Sequence, residues 1–368
     1  MKIVLHAGFP KTGSTALQKY LATHRRELEQ HGIIYPKFDS KSDKFGSHWI
    51  LAAAFHDSPE DMHHHVQRRL GTEDVSHRLD AAKKTLRSLL ATVDDDSVVL
   101  LSHEGFGLRV ISKLRETLLG FTDHVQVMAY ARNPVELYPS SIQQRLKSLE
   151  NEIRPPDDWV SNHAERAEDL RGIFGEESSE IQIYSSSTLL NGDVIDDFAH
   201  YLFRTTGKQL PISLSRERRN VSHSGPACAI LFALRLPIAG AVDKKIFARV
   251  RGQLKRFGAT RTAPKLEIPR EWIAIIAANH ADAWNGLVKK TSYSPEQKAA
   301  HRLPSVTDRS PLSSEQFQAW LLGSGSQEYT LAFADFCESK ERAQDLADML
   351  RRLALHFPNI KTLERAAE

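Results

Sequence analysis

A chain of 368 residues with 41% hydrophobic and 26% charged side chains has the composition of an ordinary globular protein, which excludes a disordered chain and a disulfide-stapled mini-protein. Lysine and arginine outnumber the acidic residues 49 to 46, a formal charge of +3 too small to mark a nucleic-acid binder, and none is expected as partner. Two cysteines, Cys228 and Cys337, are too few and too far apart for a disulfide framework or a zinc site, which fits a reducing compartment.

Residues 2–8 form a short apolar run that predicts a strand, with no charged-then-apolar leader ahead of it. No apolar run reaches the roughly 18 to 20 residues that span a bilayer. The expectation is a cytoplasmic protein without a transmembrane segment; peripheral contact with a membrane surface stays open, as does the oligomeric state. From Ser14 to His31 a stripe of Leu17, Leu21 and Leu28 predicts a helix that stops at Gly32. The segment between strand and helix, Gly8-Phe-Pro-Lys-Thr-Gly-Ser-Thr15, is therefore a strand-to-helix loop, where free N–H groups and the helix dipole favour an anion.

Further along, Asp94-Asp95-Asp96 leads into a strand over Val98–Leu101 that ends in Ser102-His103-Glu104. A strand over Val125–Tyr130 is followed by Arg132, then Asn133 as helix cap and Pro134 as first helical residue. Ile181–Tyr184 alternates like a short strand, and Asp193–Phe203 reads as the next helix. Strands separated by helices predict an α/β fold: a P-loop-like three-layer domain whose mainly parallel sheet is flanked by helices. Ligands of such sheets bind at the carboxyl ends of the strands, where the 8–15 loop, Ser102-His103-Glu104, Arg132 and Tyr184 all fall. The Asp triplet lies at the opposite edge and has no metal role. After residue 225 the pattern turns helical, with a polar, Pro-containing connector over 291–313. Residues 1–225 are thus expected to form the core, and 226–368 a mostly helical extension packed on it.

Gly8, Gly13, Ser14 and Thr15 trace the outline of a Walker A loop, but Ser14 stands in the place of its lysine and Lys11 lies inside the loop. A nucleoside triphosphate enzyme needs that lysine, and a strand-end Asp for magnesium. Gly8-Phe-Pro-Lys-Thr-Gly-Ser-Thr-Ala-Leu17 instead resembles the 5′-phosphosulfate loop of sulfotransferases that use 3′-phosphoadenosine 5′-phosphosulfate (PAPS). The resemblance implies that Lys11 neutralises the bridging oxygen and the departing 5′-phosphate, with no metal. It also implies that Thr12, Gly13, Ser14 and Thr15 cradle the phosphate through N–H and hydroxyl donors. Ala16 stands where cytosolic members carry an adenine-stacking tryptophan, so the loop looks more like the Golgi-type carbohydrate sulfotransferases and their bacterial relatives.

Tyr130-Ala-Arg132-Asn-Pro134, with Ser140 eight positions after Arg132, resembles the same family's 3′-phosphate motif. A guanidinium fork for phosphate oxygens and a helical hydroxyl would select PAPS over ATP. Pro139 predicts a kink at that helix, so Ser141 stays open as a substitute for Ser140. The resemblance places Tyr184 where an adenine-contacting tyrosine falls, and Arg219 and Asn220 in the loop that closes over the 3′-phosphate. For the base it implies Glu104, as in the Golgi-type members, with His103 second. Neighbours on a strand point to opposite faces, so one of the two enters the site.

Weaker signals remain. His63-His64-His65 lacks the i, i+4 spacing of a helical zinc pair and reads as surface, so no metal site is expected. His48 and Trp49 could meet a sugar ring, core packing being the plainer reading of Trp49. Lys244–Lys265 carries eight basic residues and no acidic one, either a solvated helix face or a surface for a polyanion. Together the two resemblances imply a PAPS-dependent sulfotransferase acting on a hydroxyl or amine of a polar acceptor, a glycan or glycolipid. A P-loop kinase or NTPase, and a non-catalytic nucleotide-binding module, stay open as alternatives.

Overall fold

The computed structural model describes residues 1–38, 46–62, 66–67, 70–71, 75–211, 223–240, 242–261, 263–304, 313–339 and 344–357. Arg219, Asn220 and the His63–His65 run lie outside the described residues.

Five strands, β1 (Lys2–Ala7), β2 (Ile33–Ile34), β3 (Val98–His103), β4 (Val125–Ala131) and β5 (Ser179–Ile183), form one sheet in the order β2-β3-β1-β4-β5. Every pairing is parallel, with Leu5 opposite Leu101 on one side and Val127 on the other. The three strands β1, β3 and β4 are largely apolar and buried because both faces are covered, as parallel sheets require, whereas the edge strand β5 alternates between polar and apolar residues. Among the described residues the first half carries the helices α1 (Ser14–Thr23), α2 (Arg25–Gln30), α3 (Trp49–Ala54), α4 (Val75–Thr92), α5 (Leu108–Leu119), α6 (Pro134–Arg145), α7 (His163–Phe174) and α8 (Val194–Thr206), besides shorter helical pieces. On one face Val4, Leu100, Met128 and Tyr130 pack with Leu17 and Leu21 of α1, Leu28 of α2, and Phe198 and Leu202 of α8. On the other, α5 and α7 lie against β4, burying Ile111, Leu114 and Leu170. Each fully buried leucine contributes roughly 1.5–3 kcal/mol. The fold is α/β, a parallel sheet between two helical layers.

The helix expected over residues 14–31 is two helices, because His24 at φ −106° and ψ 28° leaves the helical region. Gly32 does end the second: at φ 69° its N–H donates to the Glu29 carbonyl, a left-handed stop open to glycine. The expected connector over 291–313 contains a helix, Pro295–His301, whose start is fixed by a reciprocal Ser294/Gln297 capping box. The strand expected to end at Tyr184 ends at Ile183, yet the Tyr184 N–H still donates to the Ala131 carbonyl at 2.7 Å. Helix α6 runs through Pro139.

Two compact units interleave along the chain: Met1–Asn133 with Ser161–Arg219 and Asp282–Arg302, and Pro134–Val160 with Asn220–Ala281 and Leu303–Glu368. The first holds the sheet. The second is built round the helix Gly225–Ala233, buried along its whole length, with Phe247, Leu254, Phe333 and Leu350 around it. The basic stretch forms the helix Lys244–Gly258, with Phe247, Val250, Leu254 and Phe257 inward. Two of the helix's cations, Lys244 and Arg249, pair with Glu150 and Asp345, as on a solvated helix face, and Arg261 just beyond the helix pairs with Glu328. Among the described residues no helix is long and apolar enough to cross a membrane.

Candidate functional site

The site lies where the carboxyl ends of β1, β3, β4 and β5 meet, with β1 between β3 and β4, the place where open parallel sheets hold ligands. The loop after β1 takes two left-handed turns, at Lys11 (φ 63°) and Gly13 (φ 77°). A non-glycine at such an angle stores about 1 kcal/mol or more of strain, so the loop is shaped at a cost. Gly13 caps α1 without a side chain. Among the described residues no carbonyl accepts from the N–H groups of Thr12, Gly13, Ser14 or Thr15. They are the open donors of a helix start.

The hydroxyls of the loop divide. Thr12 Oγ1 donates to the Phe9 carbonyl at 2.7 Å, and Ser14 Oγ lies 3.4 Å from the same oxygen. Both are buried, so their protons are used inside the loop, and what they offer outward is backbone N–H. Thr15 is exposed. Gly8 has no room for a side chain: a Cβ there would meet Ser14 Oγ at 2.7 Å and Glu104 Cγ at 2.9 Å. That closeness puts Glu104 against the loop.

Arg132, at the end of β4, turns toward the same loop. Its Nη1 donates to the Lys11 carbonyl at 3.3 Å, and its guanidinium sits 5.7 Å from the Tyr184 ring centre. Tyr184 in turn borders Gly13, where a Cβ would meet its Cε2 at 3.0 Å. Burial raises the Tyr184 pKa, against the pull of Arg132, so the phenol stays neutral. Lys11, Gly13, Arg132 and Tyr184 therefore share one corner. Ser140 lies half-buried on α6, in the other compact unit.

Glu104 is exposed as a residue, but the surrounding protein still desolvates its carboxyl. Burial pushes its pKa above the usual carboxylate value, while the Lys11 and Arg166 charges pull it back. His103 turns the other way, its ring folded over Gly105 and edge-on to Phe106 at 5.5 Å.

His48 and Trp49 are interior residues, each 3% exposed, which corrects their reading as substrate contacts. Nδ1 of His48 accepts from the Ser102 N–H at 3.0 Å and Nε2 lies 2.9 Å from the Pro36 carbonyl, so both ring nitrogens are engaged. Burial lowers its pKa to about 3, and the neutral ring pins the end of β3. Ser102 is held from its other side as well: Gln18 Nε2 donates to its Oγ at 3.1 Å, and that oxygen lies 2.7 Å from His6 Nδ1.

Two further residues, unmarked in the sequence, come from α7. His163 Nδ1 accepts from the Arg132 N–H at 3.0 Å; Arg166 Nη2 donates to the Glu104 carbonyl at 3.3 Å. Among the described residues no group of three or more His, Cys, Asp or Glu side chains could hold a metal ion.

No protein-family model and no curated protein matches the chain. A solved structure, that of a sulfotransferase from Alicyclobacillus acidocaldarius, is similar over 67% of this chain and 98% of its own, at 13% identity and a TM-score of 0.34. A likeness that weak says nothing about activity. What the site does has to be argued from its residues.

Proposed function

We propose that the protein transfers a sulfuryl group from PAPS to a hydroxyl or amine of a polar acceptor, a glycan or glycolipid, in line and without a metal. One observation carries the reading. The two motifs that resemble the 5′- and 3′-phosphate sites of PAPS enzymes meet in one corner, Arg132 Nη1 reaching the Lys11 carbonyl across 3.3 Å. The open N–H groups of Thr12 to Thr15 suit the 5′-phosphate, the Arg132 fork suits the 3′-phosphate, and the Tyr184 ring beside Gly13 suits the adenine.

PAPS supplies an activated sulfuryl group and leaves as adenosine 3′,5′-bisphosphate. The acceptor oxygen or nitrogen bonds to sulfur as the bond from sulfur to the 5′-phosphate oxygen breaks. Lys11 and the helix start offset the charge that grows on that oxygen. Glu104, beside the loop, with burial raising its pKa against the pull of Lys11 and Arg166, takes the acceptor proton. His103, turned onto Gly105, is the second candidate.

The test is a screen of glycans and lipids with radiolabelled PAPS, run with and without excess EDTA. Label should pass to an acceptor class in both conditions, and Lys11→Met should abolish transfer while the protein stays folded. Transfer that stops on chelation and returns with magnesium would move the reading to a kinase-like enzyme.

A further inference from the structure

We propose that Arg166, on the first turn of α7, is a positioning residue that holds Glu104 against the phosphate loop and brings its own positive charge to that residue. As part of a transfer mechanism this rests on the reading above; as a statement about Glu104 it stands on geometry.

Helix α7 opens with His163, and Arg166 follows three residues later, a spacing that puts both side chains on one face. That face touches three separate parts of the site. Arg166 Nη2 donates to the Glu104 carbonyl at 3.3 Å, at the exit of β3. Its guanidinium lies 4.4 Å from the ring centre of Phe9, the fully buried second residue of the loop, within cation–π range. His163 accepts from the Arg132 N–H at the exit of β4, and its ring centre is 5.2 Å from that of Phe9. One helical turn thus ties the exits of β3 and β4 to the loop after β1.

The helix is itself firmly placed. Leu170 and Phe174 are buried, and Arg171 bonds Glu168 at 2.7 Å and the Lys290 carbonyl at 3.3 Å. Arg166 is therefore presented by a rigid element. A planar guanidinium can stack on Phe9 and donate to a carbonyl at once, which a lysine cannot do in the same geometry.

The charges facing the Glu104 carboxyl are Lys11 from the loop and Arg166 from α7, while Asp169 acts on Arg166 from one turn further along the helix. Lys11 is committed to the phosphate side in the reading above. Arg166 is the cation that remains on Glu104 whatever Lys11 is doing, and it opposes the burial that would keep the carboxyl protonated.

The test needs no acceptor. In protein labelled at the glutamate carboxyl carbon, the Glu104 resonance is identified by its loss in Glu104→Gln and followed by NMR across pH. Arg166→Met should move its midpoint up by about one pH unit or more, and Arg166→Lys should restore most of that shift while disturbing the resonance position. An unchanged midpoint in Arg166→Met overturns the proposal. Should that variant fail to fold, Arg166→Gln carries the same comparison with the same two outcomes. Calorimetry with adenosine 3′,5′-bisphosphate on the unmutated protein separates the two claims. Absent bisphosphate binding with a shifted midpoint removes the sulfotransferase reading and leaves the role of Arg166 intact; binding with an unshifted midpoint does the reverse.

Discussion

Arg132 and Lys11 are 121 residues apart in the chain, yet Arg132 Nη1 donates to the Lys11 carbonyl across 3.3 Å. The contact leaves the lysine ammonium group out of the bond and fixes the guanidinium beside the loop, next to Tyr184. On the proposed reading, a ligand with phosphate at both the 5′ and 3′ positions spans these groups.

Adenosine 3′,5′-bisphosphate should therefore bind much more tightly than AMP, and the difference should reside in Arg132. Losing a half-buried, charge-assisted phosphate contact costs about 2 to 4 kcal/mol, and Arg132→Ala should weaken the bisphosphate by that amount while barely changing AMP. Calorimetry measures both. Equal affinities for the two ligands in the unmutated protein would remove the 3′-phosphate site and the reading built on it.

Gly13 is a point where shape and site coincide. At φ 77°, with Tyr184 Cε2 at 3.0 Å and Val194 Cγ1 at 3.1 Å from an added Cβ, an alanine there is strained in its backbone and pushes its neighbours aside by a few tenths of an ångström. Gly13→Ala should cost roughly 1 to 3 kcal/mol of stability and displace Tyr184 from the loop. Denaturant unfolding and bisphosphate titration on the same variant check this. A variant with unchanged stability and affinity would show that the loop relaxes freely there.

Much of this was readable in the sequence. Apolar runs of strand length and a glycine-rich join put the sheet and the loop in place, because those signals are local. That Arg132 and Glu104 follow strand ends was readable for the same reason, since they stand at the ends of such runs. His163 and Arg166 were not: their partners lie 31 and 62 residues away, and nothing in the spacing of α7 marks them. His48 misled in the opposite sense. A histidine beside a tryptophan looks like a sugar contact until Ser102, 54 residues on, is seen to occupy it.

Three buried histidines set an acid limit on the fold. Burial holds the pKa of His6 near 4 and those of His48 and His163 near 3, so all are neutral in the native state at pH 5.5, where the unfolded chain is largely protonated. With folded values lowered, stability is complete above about pH 6.5 and falls as the pH drops below it. Between pH 7.5 and 5.5 each ring removes about 1.4 kcal/mol, on the order of 4 kcal/mol together. Urea unfolding at the two pH values should show the loss. His163→Gln, whose amide oxygen can still accept from Arg132, should reduce the pH-dependent loss by about 1.4 kcal/mol; an undiminished loss would mean that His163 does not titrate in this way.

In the proposed transfer Glu104 is the base. The carboxyl sits at the exit of β3, its Cγ within 2.9 Å of where a Gly8 side chain would begin, on the border of the loop that holds Lys11. Its raised pKa makes it a stronger base than a solvent-exposed glutamate, and as a base it must be ionised. Activity should therefore fall as the pH drops through a midpoint above 4.5, the ordinary value of the group. Glu104→Gln should lower turnover by about 100-fold or more and leave bisphosphate affinity near normal. The effect on stability separates this role from a structural one. An ionised carboxylate that burial disfavours is a net cost to the fold, so Glu104→Gln should unfold at the same temperature or higher, whereas a residue kept to anchor the turn before α5 would lose stability on the same change. His103→Asn is the control. Near-normal turnover in Glu104→Gln, with a selective loss in His103→Asn, would transfer the role of base to His103.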